Sequence, residues 1–126
     1  MSQWLAPLMH LDSKLILVVV AVCIVAAWWL LRHRNLAARS ARAHAAVQAG
    51  ARIVDVRTPE EFQAGHIEGA VNIPVVDLGR RMSEVGSKKQ AVVVYCRSGA
   101  RSASAARVLL ESGFVNVVDL GPMSAW

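Results

Sequence analysis

Charge is scarce in this sequence. Asp, Glu, Lys and Arg make up 18% of its 126 residues, too few for a disordered chain or a charge-laced coiled coil. Aromatic residues are scarcer still at 6%, and they do not interleave with the cations, so the basic stripe of a nucleic-acid-binding surface is missing. There are two cysteines, Cys23 and Cys96, which excludes a disulfide scaffold. Cys23 sits inside an apolar run as a small hydrophobe and Cys96 lies far along the chain, so a bond between them is geometrically implausible. His10, His33 and His44 are scattered and offer no metal site, and nothing in the sequence calls for a cofactor. The length leaves room for one domain.

Apolar residues are abundant instead, at 55%, with a mean hydropathy of +0.39. That is too apolar for a small soluble domain unless part of the chain sits in lipid. The run Leu15 to Leu31 carries no charge and as a helix spans about 25 Å, enough to cross a hydrocarbon core with some thinning and with Lys14 snorkelling outward. Trp28 and Trp29 near one end and Trp4 beyond the other fit interfacial belts. A cleaved signal peptide fits less well, because the basic cluster follows the run and bulky Trp28-Trp29-Leu30-Leu31 stands where small residues are needed.

The formal charge is +5, but Arg32, Arg34, Arg39 and Arg42 account for four of these charges, and the rest of the aqueous part is nearly neutral. Positive residues flanking the C-terminal end of a span stay in the cytoplasm. The expected organisation is therefore an extracytoplasmic N-terminus at 1–14, a transmembrane helix at 15–31, a basic juxtamembrane linker at 32–39 and a cytoplasmic domain at 40–126, in an inner (plasma) membrane.

Helix from Arg32 is expected to run to Gly50 as its stop, or Ser40 to start a separate helix as its N-cap. Ile53-Val54-Asp55-Val56 reads as a buried strand. Thr58-Pro59-Glu60-Glu61 reads as a helix start, with Thr58 as cap, Pro59 in the first turn and Glu61 completing a capping box. Val71-Asn72-Ile73 is a second strand, Val75 to Val85 a helix, Ala91 to Tyr95 a central strand, Ser102 to Ser112 an amphipathic helix and Phe114 to Val118 the last strand. Strands alternating with helices predict an α/β fold with a mostly parallel sheet, whose ligand site lies at the carboxyl ends of the strands.

Cys96 is in that place. The stretch Cys96-Arg97-Ser98-Gly99-Ala100-Arg101-Ser102 is short, contains a permissive Gly and links a strand end to a helix N-terminus, so its backbone N–H groups converge as an anion-binding nest. Arg97 and Arg101 add formal charge there, and Arg101, closest to the helix start, is expected to contribute more. A free thiol titrates near about 8.5, and it falls well below that at a helix N-terminus beside cations. Cys96 is thus a candidate nucleophile.

The sequence resembles the rhodanese family of sulfurtransferases in four segments taken in the family's order. These are Asp55-Val56-Arg57-Thr58-Pro59-Glu60-Glu61-Phe62, Gly65-His66-Ile67-Glu68-Gly69-Ala70-Val71-Asn72-Ile73-Pro74, the Cys96 to Ser102 loop, and Gly121-Pro122-Met123-Ser124-Ala125-Trp126. The nearest type in this resemblance is the single-domain rhodanese tethered by one N-terminal helix in bacteria. The resemblance implies a rhodanese-like three-layer fold over 40–126 and a thiosulfate sulfurtransferase. In that reading Cys96 takes sulfane sulfur from a small anionic donor such as thiosulfate as a persulfide, and a thiol or protein acceptor collects it. Arg97 and Arg101 would bind donor oxygens, and the N–H groups of Ser98, Gly99, Ala100 and Arg101 would stabilise the persulfide. Asp55, Arg57, Glu61 and His66 match signature positions and are read as loop-fixing groups. Pro122 departs from the family, which usually has Gly there; this stiffens the turn beside the pocket wall.

Two rivals follow. A Cys-based phosphatase or arsenate reductase shares the fold but uses a loop with one more residue before its Arg and a general acid, and no Asp lies near this loop. A membrane-tethered binding module without turnover is the other, although Cys96 and both arginines are present.

Overall fold

The structure, a computed structural model, describes residues 12–126, so the expected extracytoplasmic segment up to Leu11, with Trp4, lies outside the described residues. The chain divides into two units at Arg34 and Asn35. In the first, Ser13 opens helix α1 (Ser13–Gln48). Its apolar stretch is long enough to cross a membrane, and its side chains from Leu15 to Leu31 are exposed. Arg32 lies over the Trp28 ring, 5.4 Å from its centroid. The basic segment at 32–39 is helical throughout.

In the second unit α1 ends as expected, with Gly50 at φ +95 just beyond it. The elements that follow are β1 (Arg52–Asp55), α2 (Pro59–Gln63), β2 (Val71–Asn72), a 3₁₀ turn at Met82–Glu84, β3 (Val92–Cys96), α3 (Ala100–Glu111), β4 (Val117–Pro122) and a 3₁₀ turn at Met123–Ala125. All strand pairs are parallel and the order is β2-β1-β3-β4.

Strand β3 reads Val-Val-Val-Tyr-Cys because every one of its residues is buried, as parallel strands covered on both faces require. Alternation sorts them. Val92, Val94 and Cys96 pack with Ala105 and Leu109 of α3, while Val93 and Tyr95 pack with Ala43 of α1 and with Leu120. The sheet is thus the middle of three layers.

Three expectations about secondary structure are corrected. Val75 to Val85 is not a helix: its bonds run from Asp77 N–H to Pro74 O and from Arg80 N–H to Asp77 O, a series of turns closing in the 3₁₀ turn. The last strand starts at Val117, not Phe114. Phe114 is instead a core residue of the turn after α3, its N–H donating to Leu109 O at 3.1 Å. Helix α3 begins at Ala100, two residues early, because Gly99 rather than a polar side chain is its N-cap.

Candidate functional site

The chain runs from β1 outward to β2 on one side and from β3 outward to β4 on the other, so the sheet order switches between β1 and β3. In open α/β sheets the crevice at such a switch, beyond the carboxyl ends of the strands, is where ligands bind. Two loops meet there, one leaving β1 and one leaving β3.

The β1 loop is rigid by construction. Asp55 is fully buried and accepts from Arg57 three times through the side chain, from Nε at 3.0 Å to each oxygen and from Nη2 at 2.6 Å, and once from the Arg57 backbone N–H at 2.9 Å. A buried carboxylate is tolerable only when satisfied in this way. Arg57 Nη2 also donates to Gly65 O at 2.7 Å, and Asn72 Nδ2 donates to the carbonyls of Asp55 and Arg57. Tyr95, from the neighbouring strand, accepts the Ile67 N–H at 3.1 Å, and burial pushes its phenol up to about 12. On this frame α2 starts with the expected capping box: Glu61 N–H donates to Thr58 Oγ1 and Thr58 N–H donates to Glu61 Oε2. His66 caps the other end, Nδ1 lying 2.9 Å from Phe62 O with the two rings stacked at 3.7 Å.

The β3 loop carries the thiol. Cys96 is the last residue of β3 and has no exposed surface, placing its sulfur on the floor of the loop. Gly99 turns the chain at φ +103, a conformation that L side chains rarely adopt, and its N–H donates to Cys96 Sγ at 3.0 Å. Burial pushes the thiol up, but the N–H of Ser102, the Ser102 hydroxyl and the N–H groups of Gly99 and Ser98 together outweigh it and hold Cys96 below its usual value. The start of a twelve-residue helix stands behind these donors and favours negative charge at the sulfur.

Of the four N–H groups singled out in the sequence, those of Gly99 and Ser98 act on the sulfur. Ser102, not among the residues expected from the sequence, acts on the sulfur as well, through both its N–H and its hydroxyl. Its only sequence signal is a small hydroxyl residue one helical turn after Gly99, a position that points back into the loop. Arg97, Ser98 and Ala100 are exposed and form the rim. Arg97 makes no ion pair among the described residues. Arg101 is held by Glu61 across the switch point, Nη1 donating to Oε2 at 2.7 Å and Nη2 to Oε1 at 3.0 Å. That pairing joins the two loops, and it draws the Glu61 carboxyl down to about 2, through the Arg101 hydrogen bonds first and the Thr58 N–H second. Pro122 closes β4 opposite Cys96, its ring Cδ 3.6 Å from where a Cβ on Gly99 would lie. The departure from Gly at 122 therefore does face the loop wall.

A cysteine held toward its thiolate in a backbone nest, on a parallel four-stranded sheet, defines a class of proteins that handle sulfur or oxyanions through one nucleophile. Comparison with known proteins narrows the class: residues 37–126 match the rhodanese-like domain, and the chain belongs to that family. It is 40% identical over 96 residues to thiosulfate sulfurtransferase 16, chloroplastic, of Arabidopsis thaliana, covering 67% of this chain and 80% of the relative. It is 39% identical over 69 residues to the thiosulfate sulfurtransferase PspE of Escherichia coli (strain K12), covering 54% of this chain and 66% of the relative. Among solved structures, a rhodanese with anions from E. coli superposes with a TM-score of 0.58 at 35% identity, over 61% of this chain and 92% of that one. Such relatives support a role in sulfur transfer.

Proposed function

We propose that this chain is a sulfurtransferase that accepts sulfane sulfur from an anionic donor such as thiosulfate onto Cys96 and passes it to a thiophilic acceptor, a small thiol or a protein thiol. The observation that carries this reading is the backbone nest around Cys96, where the Gly99 N–H donates to Sγ at 3.0 Å and the surrounding donors hold the thiol below its usual value. The thiolate, not the thiol, is the nucleophile.

In the first half-reaction the Cys96 thiolate attacks the outer sulfur of thiosulfate. A new S–S bond forms at Cys96, the S–S bond of the donor breaks, and sulfite leaves with the electron pair. The terminal sulfur of the persulfide carries the negative charge, and the N–H groups that held the thiolate are placed to stabilise it. An acceptor thiolate then attacks that terminal sulfur and Cys96 leaves as thiolate. The N–H groups and the hydroxyl that hold the Cys96 thiol below its usual value favour the attacking thiolate without a separate general base. Arg97, on the exposed rim, attracts the donor's oxygens. Arg101 keeps three N–H groups beyond the two given to Glu61, and those can bind the same oxygens.

Residues 1–14, 15–31 and 32–39 are read as outer segment, span and basic flank, which tethers the domain at 40–126 to the cytoplasmic face of an inner membrane. The four arginines after the span support that orientation. A binding module without turnover has no use for a stabilised thiolate, which favours the enzyme. Incubation of the full chain with thiosulfate should add the mass of one sulfur atom to Cys96, reversed by cyanide. A chain that never gains that mass is not a sulfurtransferase of this kind.

A further inference from the structure

Arg101 does not meet an incoming anion with its full charge. Both of its terminal nitrogens are engaged by Glu61 in a two-bond fork, 2.7 and 3.0 Å long, with the arginine 33% and the glutamate 27% exposed. Fork pairs of this kind are the strong ones. The carboxylate is also fixed from behind, since Oε2 takes the Thr58 N–H at 2.9 Å as part of the α2 cap. It cannot swing away from Arg101 without uncapping that helix. The neighbouring Asp55 and Arg57 cancel each other as well. Of the charged groups in the two facing loops that these contacts connect, Arg97 is the one cation left without a carboxylate partner, and it stands against one thiolate.

We infer that Glu61 sets the charge of the donor: by neutralising Arg101 it fits the site to singly charged sulfane donors of the organic thiosulfonate class, ahead of doubly charged ones. This rests on the sulfurtransferase reading. The chemistry is the same for both donors. With a thiosulfonate, Cys96 thiolate takes the terminal sulfur, the donor S–S bond breaks and a sulfinate leaves with the electron pair, one negative charge entering and one leaving. With thiosulfate two enter and two leave as sulfite. A dianion thus meets the repulsion of the Glu61 charge twice over, across an Arg101–Glu61 pair that is only part-exposed, where unit charges still interact appreciably. Glu61 touches neither sulfur nor donor in this scheme. It acts through Arg101 and through its own field, as a residue that sets specificity.

The test is Glu61→Gln in the full chain. Gln also serves at this capping-box position, so α2 stays in place while the charge goes. The KM for thiosulfate is expected to fall about fivefold relative to the KM for methanethiosulfonate, with the gap between wild type and variant shrinking as ionic strength rises. Binding of two unreactive anions, sulfate and methanesulfonate, followed through the Gly99 amide resonance, is expected to show the same relative gain for the dianion. Equal changes for both charge classes, or a loss confined to kcat, would mean that Glu61 only positions the loop and would overturn the inference. If wild type forms no persulfide from either donor, the sulfurtransferase reading fails, and the sulfate-to-methanesulfonate ratio still decides whether Glu61 tunes the charge of the site.

Discussion

Removing the Ser102 hydroxyl separates what that group does for the fold from what it does for the sulfur. Ser102 is fully buried, and its Oγ donates to Gly99 O at 3.0 Å. The same carbonyl accepts the Ala103 N–H at 3.1 Å, so Ser102→Ala leaves it satisfied, and the stability cost is that of one neutral hydrogen bond, about 0.5–1.5 kcal/mol. The hydroxyl has a single proton, however, and it also helps to hold the Cys96 thiol down. A bond to a charged acceptor is worth roughly twice a neutral one, so on ionisation the proton is expected to turn from Gly99 O to Sγ. Losing about 1.4 kcal/mol of preference for the charged form makes the thiol about tenfold less acidic. The assay is the ultraviolet absorbance of the thiolate against pH, taken as a difference from Cys96→Ser, which needs no reagent to reach the buried sulfur. The Ser102→Ala curve is expected to lie at higher pH, and persulfide formation on its acid limb to be about tenfold slower, both converging with wild type at alkaline pH where each thiol is ionised. Superimposable curves would show that the hydroxyl never leaves Gly99 and that backbone N–H groups alone hold the thiolate. A stability loss well above about 2 kcal/mol would refute the claim that Ala103 covers the carbonyl.

Cys96→Ser should keep the fold, measured by denaturant midpoint, and lose persulfide formation and turnover to the level of background. Gly99→Ala, forced to φ +103, is expected to cost about 1–3 kcal/mol and to move the thiol titration upward, whereas Gly79→Ala, with open space around it, serves as a control within about 1 kcal/mol of wild type. The Glu61 carboxyl is lowered from 4.5 to about 2, so its pairing contributes fully above 4.5 and is lost as pH falls toward 2; unfolding measured across that window should be steeper with pH in wild type than in Glu61→Gln. For topology, a Ser124→Cys reporter with Cys23 and Cys96 replaced should resist an impermeant maleimide in intact cells and label after permeabilisation, and labelling in intact cells would reverse the proposed orientation.

Local chemistry was legible wherever one residue type had one use. Thr58, Pro59 and Glu61 can hardly do anything but start a helix, and five consecutive buried residues at Val92–Cys96 can hardly be other than an inner strand. The misread segment, Val75 to Val85, presents apolar Val75, Leu78, Met82 and Val85 at helical spacing, and all four do reach the core. Turns closing three residues back approximate that periodicity, and Asp77 and Gly79 interrupt propagation of the helix. In the site, the nest at Cys96 follows from strand, Gly and helix in succession. The Glu61 to Arg101 pairing does not, because it joins residues forty positions apart and depends on which strands are neighbours. The same dependence on neighbours hides the pairing of Arg101, whereas the place of Ser102 inside α3 is a local matter, because Gly99 rather than a polar residue is the N-cap.

The sheet ladder stops at the sulfur. Strand β4 slips by one residue between the positions opposite Val94 and Tyr95, so that Cys96 faces Pro122 rather than Gly121. Proline has no N–H to give to a neighbouring strand, and its ring lies where a Cβ on Gly99 would meet it, 3.6 Å away. The three residues from Arg97 to Gly99 therefore form an exchangeable cassette, anchored to the fold by the end of β3 and the start of α3 and unconstrained by sheet register between them. Such a segment can change in length, and with it the size of the anion it encloses, while the scaffold beneath it stays the same.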